Sequence, residues 1–185
     1  MIELTVEQMD KAERLLGHIP GAAPKAMANA INRAAEAART EAARKVRELY
    51  YIKHKDVLAT MKIYRATPDD LTATVISKGN LIALSKFRIT PKQPQPKRKK
   101  PVIARVKRGE GGPIKSAFVA RMQSGHVGVF IRVGRSRLPI RELYGPSVPQ
   151  MLGSPNVTEW VEEKAIERLE QRLEYEINRI LEGKG

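Results

Sequence analysis

Apolar positions recur every three or four residues near the two ends of the chain and every second residue through its middle. The first period buries one stripe of an α-helix and the second buries one face of a β-strand, so a helix–strand–helix order is predicted. Thr5-Val-Glu-Gln8 fits a capping box, which predicts a helix from about Val6 to Leu16, ended by Gly17 to Gly21 with Pro20. Ile2 to Val6 before it reads as a short strand or an extended lead-in. A second helix is predicted from Pro24, a residue suited to a first helical turn, to about Leu49. Met27, Ile31, Ala34, Ala38, Ala42, Val46 and Leu49 mark its apolar side. That stripe is mostly alanine, so it permits close approach but buries little area per residue. A helix lying on a sheet is expected, with packing between subunits as the other reading.

Tyr50 to Ile52 close this helix, and Lys53 to Thr60 reads as a short basic helical turn. Met61 to Ala66 and Leu71 to Ser77 then alternate on either side of Thr67-Pro-Asp-Asp70, which predicts a hairpin. Leu81 to Phe87 is a further candidate strand, and Val102, Ala104 and Val106 alternate with Arg105 and Lys107. Gly109 to Pro113 is expected to form a second flexible loop. Strands near Ala117 to Met122 and Val127 to Val133 flank a turn at Gln123 to Gly125. In the latter strand Val127, Val129, Ile131 and Val133 are expected on one face, with Phe130 and Arg132 on the other. The last helix is predicted to start at Asn156, with Glu159 three residues on, and to end at Gly183. Trp160, Val161, Ile166, Leu169, Leu173, Ile177 and Ile180 mark its buried side; their mixed spacing favours docking onto a sheet over a free coiled coil. The expected fold is α+β: an antiparallel sheet of about five to seven strands flanked by a long N-terminal helix and a C-terminal helix. One domain is expected, with a helical part at 6–49, a β-rich part at 61–144 and the final helix at 156–181.

Composition narrows the functional classes. A chain of 185 residues with 42% hydrophobic content is long enough to bury a core. It has no cysteine, which excludes disulfides, thiolate metal sites and thiol catalysis. No apolar run is long enough to span a membrane, and Met1 to Val6 lacks the basic and apolar segments of a signal peptide, so a soluble protein is expected. The net charge of +14 and pI near 10.2 favour polyanionic partners. Between Leu71 and Arg141 seventeen Lys and Arg face a single acid, Glu110, whereas eight glutamates lie between Glu159 and Glu182. That asymmetry suits head-to-tail contact between copies as well as nucleic-acid binding.

The segment from Ile89 to Pro101 carries four prolines and five Lys or Arg, so it is expected to form an exposed basic loop or hairpin tip. With the residues that follow it supplies the candidate nucleic-acid contacts: Lys97, Arg98, Lys99, Lys100, Arg105, Lys107 and Arg108. Such side chains bind phosphates by charge without selecting bases. The wider basic run also takes in Lys86, Arg88 and Lys92, and only Phe87 is interleaved in it, so the stacking platform of a single-strand binder is missing. A solvated loop, or one that meets an acidic protein, is the other reading of the same residues. Gly109-Glu-Gly-Gly-Pro-Ile-Lys-Ser116 superficially resembles a phosphate-binding loop, but Pro113 and Ile114 stand where glycine must precede the lysine. His18, His54 and His126 are far apart without ligand spacing, and Ser116, Ser124 and Ser136 lack a nucleophile context. No cofactor, metal or catalytic residue is therefore expected, and the protein reads as a non-enzyme.

Phe118-Val-Ala-Arg-Met122, Ser124-Gly-His-Val-Gly-Val-Phe-Ile-Arg132 and Arg137-Leu-Pro-Ile-Arg-Glu-Leu-Tyr-Gly-Pro-Ser-Val-Pro-Gln-Met-Leu152 form one continuous pattern. Upstream, Pro24-Lys-Ala-Met-Ala-Asn-Ala-Ile-Asn-Arg33 opens the alanine-rich helix. Together these resemble the minor tail protein Z family of long-tailed phages and prophages, over most of the chain and most specifically at Leu138 to Leu152. The resemblance implies a structural virion protein at the head-proximal end of the tail. Such a protein completes the tail so that it joins the capsid connector and accommodates the end of the DNA. It further implies other tail and connector proteins as partners, a homo-oligomeric ring with a hexamer as the reference size, and assembly in the host cytoplasm. The turns around Arg137, Pro139, Ile140, Arg141, Leu143 and Tyr144 are expected to aim these residues at a neighbouring subunit or tail protein. A sequence-independent nucleic-acid-binding protein is the alternative.

Overall fold

Thr5 caps the first helix reciprocally. Its hydroxyl accepts from the Gln8 backbone N–H at 3.3 Å, and the Gln8 side chain accepts from the Thr5 N–H at 3.0 Å. This helix, α1, spans Val6–Leu16 in the computed structural model, which describes residues 4–183. Of the lead-in expected at Ile2 to Val6, Ile2 and Glu3 lie outside the described residues, Leu4 and Thr5 form no strand, and Val6 is already helical. The long helix α2 spans Ala22–Leu49 and starts before Pro24, because Gly21 adopts the left-handed region (φ 69°) and turns the chain directly into it.

The final helix, α5, spans Pro155–Leu181. Ser154 is its N-cap residue and Pro155 stands at its first position, so it begins upstream of the predicted Asn156. Contrary to the expectation from their stripes, the two long helices pack mainly on each other rather than on a sheet. Ala26, Ala30, Ile31 and Ala34 share a core cluster with Leu169, Leu173, Ile177 and Ile180, while Ala42, Ala43 and Val46 share another with Val157. The helices therefore run antiparallel. Alanine on α2 lets the backbones approach, and the larger side chains of α5 supply the apolar area that α2 lacks.

The partner helix also fixes which face of α5 is inside. Ala165, Leu169, Leu173 and Ile177, one turn apart, are buried; Ile166, expected among them, is 58% exposed. One residue of helix rotates a side chain by about 100°, which carries Ile166 off the seam. Trp160 and Val161, also expected inside, are only half-buried. The Trp160 ring instead receives the Lys45 and Lys164 ammonium groups at 4.4 and 5.3 Å. Lys11 of α1 meets Glu174 of α5 at 3.0 Å, and buried Glu176 is paired with Arg179 at 3.1 Å.

Between the helices the chain is β-rich and antiparallel, so the fold is α+β with long helices toward both ends. Its strands are split across four small sheets among the described residues rather than gathered in one. A short helix, α3 (His54–Leu58), leads into β1 (Met61–Tyr64), which pairs with β2 (Thr74–Ser77), Met61 opposite Ser77. β2 begins later than Leu71 because the intervening turn is drawn onto α2. The Asn32 amide donates to the Ala66 carbonyl at 2.9 Å, its oxygen accepts from the Ala66 N–H at 2.8 Å, and Ala66 and Ala73 are buried in the helical core. Leu81 to Phe87 is mostly not a strand. Only Ile82–Ala83 (β3) pair, with Tyr144–Gly145 (β10), and a 3-10 turn at Leu84–Lys86 follows, placing Leu84 and Phe87 inward.

The third sheet comprises β4 (Arg88–Thr90), β5 (Val102–Arg105) and β6 (Gly112–Ile114), so the last two residues of the loop expected at Gly109 to Pro113 are strand residues paired with Ala104 and Ile103. Ile89, expected in the exposed basic loop, is a buried strand residue, so that loop begins at Pro91. The fourth comprises β7 (Phe118–Arg121), β8 (Val127–Arg132) and β9 (Ile140–Glu142). The predicted one-face alternation of β8 gives way to burial on both faces: Val129 is 0% and Phe130 5% exposed, while Val133 lies beyond the strand at 63%. Val129 joins Leu84 and Val119 in the core, and Phe130 lies directly opposite Phe118 with ring centroids 6.3 Å apart. Gly128 keeps that ring in place, since a Cβ there would come within 2.9 Å of it. A last short helix, α4 (Val148–Leu152), is capped by Ser147 and Gln150 and joins β10 to α5.

Beside Asn32, Glu36 ties α2 to the end of β1, with Arg65 at 2.7 Å and Arg33 at 2.9 Å. The Arg65 hydrogen bond, opposed by burial and helped by Arg33, holds the Glu36 carboxyl below its ordinary value. A depressed carboxylate stabilises the fold above its unfolded pKa, and that contribution is lost as pH falls through the lower folded value. Arg65→Ala is therefore expected to raise the Glu36 pKa in an NMR titration and to move acid unfolding to higher pH. A Glu36 titration unchanged by the substitution contradicts the assigned pair.

Candidate nucleic-acid interface

The β4–β5 connection, residues 91–101, carries the densest positive charge of the chain. Lys97, Lys99 and Lys100 are exposed, while Arg98 is half-buried because it folds the tip. The Arg98 backbone N–H donates to the Gln95 carbonyl at 3.0 Å, and its Nε donates to the Lys100 carbonyl at 3.1 Å. The tip turns against the segment after β6, so Arg98, Lys99 and Lys100 meet Lys115 and Ser116 around a concavity of about 390 Å³. None of these cations has a carboxylate within ion-pair distance among the described residues.

The other candidate cations are divided. Arg105 is exposed at the end of β5, directly opposite Arg88 in the ladder. Lys107 stands 4.0 Å from Glu110. Arg108 turns away from the tip into a second cleft of about 580 Å³ with Tyr51, Lys53, Lys86, Arg88 and Lys92. Tyr51 and Lys53 lie far upstream of the basic run, so a scan for local charge density does not find them. An antiparallel bridge between Tyr50 and Lys107 brings them there, with the Tyr51 N–H donating to the Val106 carbonyl and the Arg108 N–H to the Leu49 carbonyl, both at 2.8 Å. Phe87, the one aromatic interleaved in the run, is buried and offers no ring.

The candidate assembly residues lie on and beyond β9. Arg137 and Pro139 belong to an exposed loop after β8, and Arg141 is exposed on β9. Ile140 is half-buried, and Leu143 packs inward against the third core cluster, its N–H donating to the Val129 carbonyl at 2.8 Å. Tyr144 is 51% exposed, and its hydroxyl donates to Glu142 at 3.1 Å, which raises the phenol pKa. Glu142 also meets His126 at 2.7 Å. Among the described residues no group of three or more His, Cys, Asp or Glu is placed to hold a metal ion, and no helix is long and apolar enough to cross a membrane.

Residues 6–182 match the family model described as prophage minor tail protein Z. The chain belongs to that family. No curated protein and no solved structure matches it. As a minor tail protein Z family member it is a structural phage tail protein, found in the virion with other virion proteins. In this member the segment with the most specific resemblance, Leu138 to Leu152, holds β9, β10 and α4, and it feeds directly into α5. The upstream segment, Pro24 to Arg33, lies in α2 and includes Asn32, whose amide holds the Ala66 backbone.

Proposed function

We propose that this minor tail protein acts by assembly at the head-proximal end of the tail, completing it for the capsid connector and accommodating the end of the DNA. The observation that carries the DNA part is the uncompensated β4–β5 tip, where exposed Lys99 and Lys100 gather with Arg98 and Lys115, next to exposed Lys97, without a carboxylate in ion-pair distance among the described residues. Lysines on mobile stems neutralise phosphates without reading bases, which suits a genome end that moves past the protein. The chain acts as one domain, and copies close into a ring, with six as the reference stoichiometry. The outward residues Arg137, Pro139, Arg141 and Tyr144 are the proposed contacts to a neighbouring copy or tail protein.

The combined change Lys97→Gln, Arg98→Gln, Lys99→Gln and Lys100→Gln is expected to weaken duplex binding and to leave assembly intact. The slope of log K against log salt should fall by about 3 to 4, close to one for each phosphate contact removed. Unchanged affinity and slope, measured by fluorescence anisotropy, contradict the role of the tip. The second reading, a sequence-independent nucleic-acid-binding protein without a tail role, is favoured by the same charge. A ring formed with neighbouring tail proteins supports assembly, whereas a monomer that binds duplex tightly and ignores those proteins supports the second reading.

A further inference from the structure

We infer that the cleft around Tyr51 is a second, preorganised site for the phosphates of duplex nucleic acid, separate from the β4–β5 tip. The inference rests on the reading that nucleic acid is the polyanion this protein meets. Five cations converge on the cleft from three parts of the chain: Lys53 after α2, Lys86, Arg88 and Lys92 around β4, and Arg108 after β5. No acidic residue lines it, and none of the five has a carboxylate within ion-pair distance among the described residues. The tip cations share this lack of a partner, whereas Arg33, Arg44, Lys45, Lys164 and Arg179 on the long helices are each paired with a glutamate. Arg88 also stands directly opposite Arg105 in the β4–β5 ladder, a cross-strand like-charge pair that is destabilising until an anion lies between or beside the two.

The two arginines of the cleft are held in place. Their guanidinium carbons lie 5.3 Å (Arg88) and 4.8 Å (Arg108) from the centre of the Tyr51 ring. Arg88 Nη1 donates to the Tyr51 hydroxyl at 3.3 Å, and Arg108 Nε donates to the Arg47 carbonyl at 3.0 Å. A guanidinium held against a ring keeps further in-plane N–H groups for phosphate oxygens, and little side-chain freedom remains to be lost on binding. The carbonyl end of α2 lies alongside and by itself repels anions. Arg108 covers it twice, since its backbone N–H also donates to the Leu49 carbonyl at 2.8 Å. With the Tyr51 ring engaged by cations and Phe87 buried, the cleft presents no free aromatic face for a base. It therefore contacts phosphates and not sequence.

Anisotropy of a short fluorescein-labelled duplex, titrated at several salt concentrations, tests this with the full chain. The variant Arg88→Gln with Arg108→Gln is expected to bind about 10- to 100-fold more weakly, with a salt slope lower by about two. Because Arg108→Gln also uncaps α2, a second variant keeps Arg108 and combines Lys86→Gln, Arg88→Gln and Lys92→Gln; it should lose affinity with an unchanged thermal midpoint. Arg88→Lys retains the charge without the fork, so it should keep the slope while losing affinity. Two duplexes of unrelated sequence should bind alike.

If both neutralised cleft variants bind as the parent does while the tip variant is impaired, the cleft is overturned and the tip stands. If the cleft variants are impaired and the tip variant is not, the cleft stands and the tip falls. A parent protein that binds polyglutamate and no duplex overturns both, in favour of an acidic protein partner.

Discussion

Replacing Leu173 with alanine is expected to destabilise the protein by about 3 kcal/mol, the usual cost of emptying a closed apolar site. For a chain of this size that corresponds to a fall in thermal midpoint of about 6 to 12 °C. Leu173 is 2% exposed on the seam between α2 and α5, where alanines on the facing helix have no reach to fill the void. Ile166→Ala, on the same helix and of similar size, is expected to change stability by no more than about 0.5 kcal/mol because its side chain stands mostly in water. Urea unfolding of the two variants checks both numbers. Equal losses at the two positions contradict the assigned face of α5.

Asn32→Ala should cost about 2 to 4 kcal/mol, because one side chain satisfies both the N–H and the C=O of Ala66 and each group left unpaired carries its own desolvation penalty. Asn32→Asp is expected to fail as well. A carboxylate still accepts from the Ala66 N–H, but it has no donor for the Ala66 carbonyl and places negative charge against it. Amide hydrogen exchange at Ala66 gives a local readout, with faster exchange expected in both variants. Native protection at Ala66 in Asn32→Ala contradicts the clamp.

These two sites mark where sequence patterning was informative and where it stopped. The Thr5 cap, the long helical stripes, the 61–77 hairpin and the β7–β8 turn were all legible, because each is set by residues within a few positions of one another. The partner of an alanine stripe was not: alanine reports that something approaches closely, not whether it is a sheet or a helix. Ile166 was misplaced for the same reason, since the buried face of α5 is chosen by α2. The split into small sheets depends on pairings such as Ala83 with Tyr144, which no local signal announces. The charge run contained Lys86, Arg88, Lys92 and Arg108 but not the cleft they form, whose organising ring comes from Tyr51 and in which Lys86 and Arg88 flank a buried Phe87.

The antiparallel pairing of α2 with α5 has a consequence for biosynthesis. Everything from Tyr50 to Ser154 hangs between the two arms of this pair, a span of roughly a hundred residues whose closure costs on the order of 4 kcal/mol in chain entropy. On the ribosome α2 emerges about a hundred residues before its partner. Until then the Met27 and Ile31 face of α2 lacks its partner and is a target for chaperones and proteases. A chain cut short before Pro155 never acquires that cover, so the pair closes only in copies whose synthesis has passed α5.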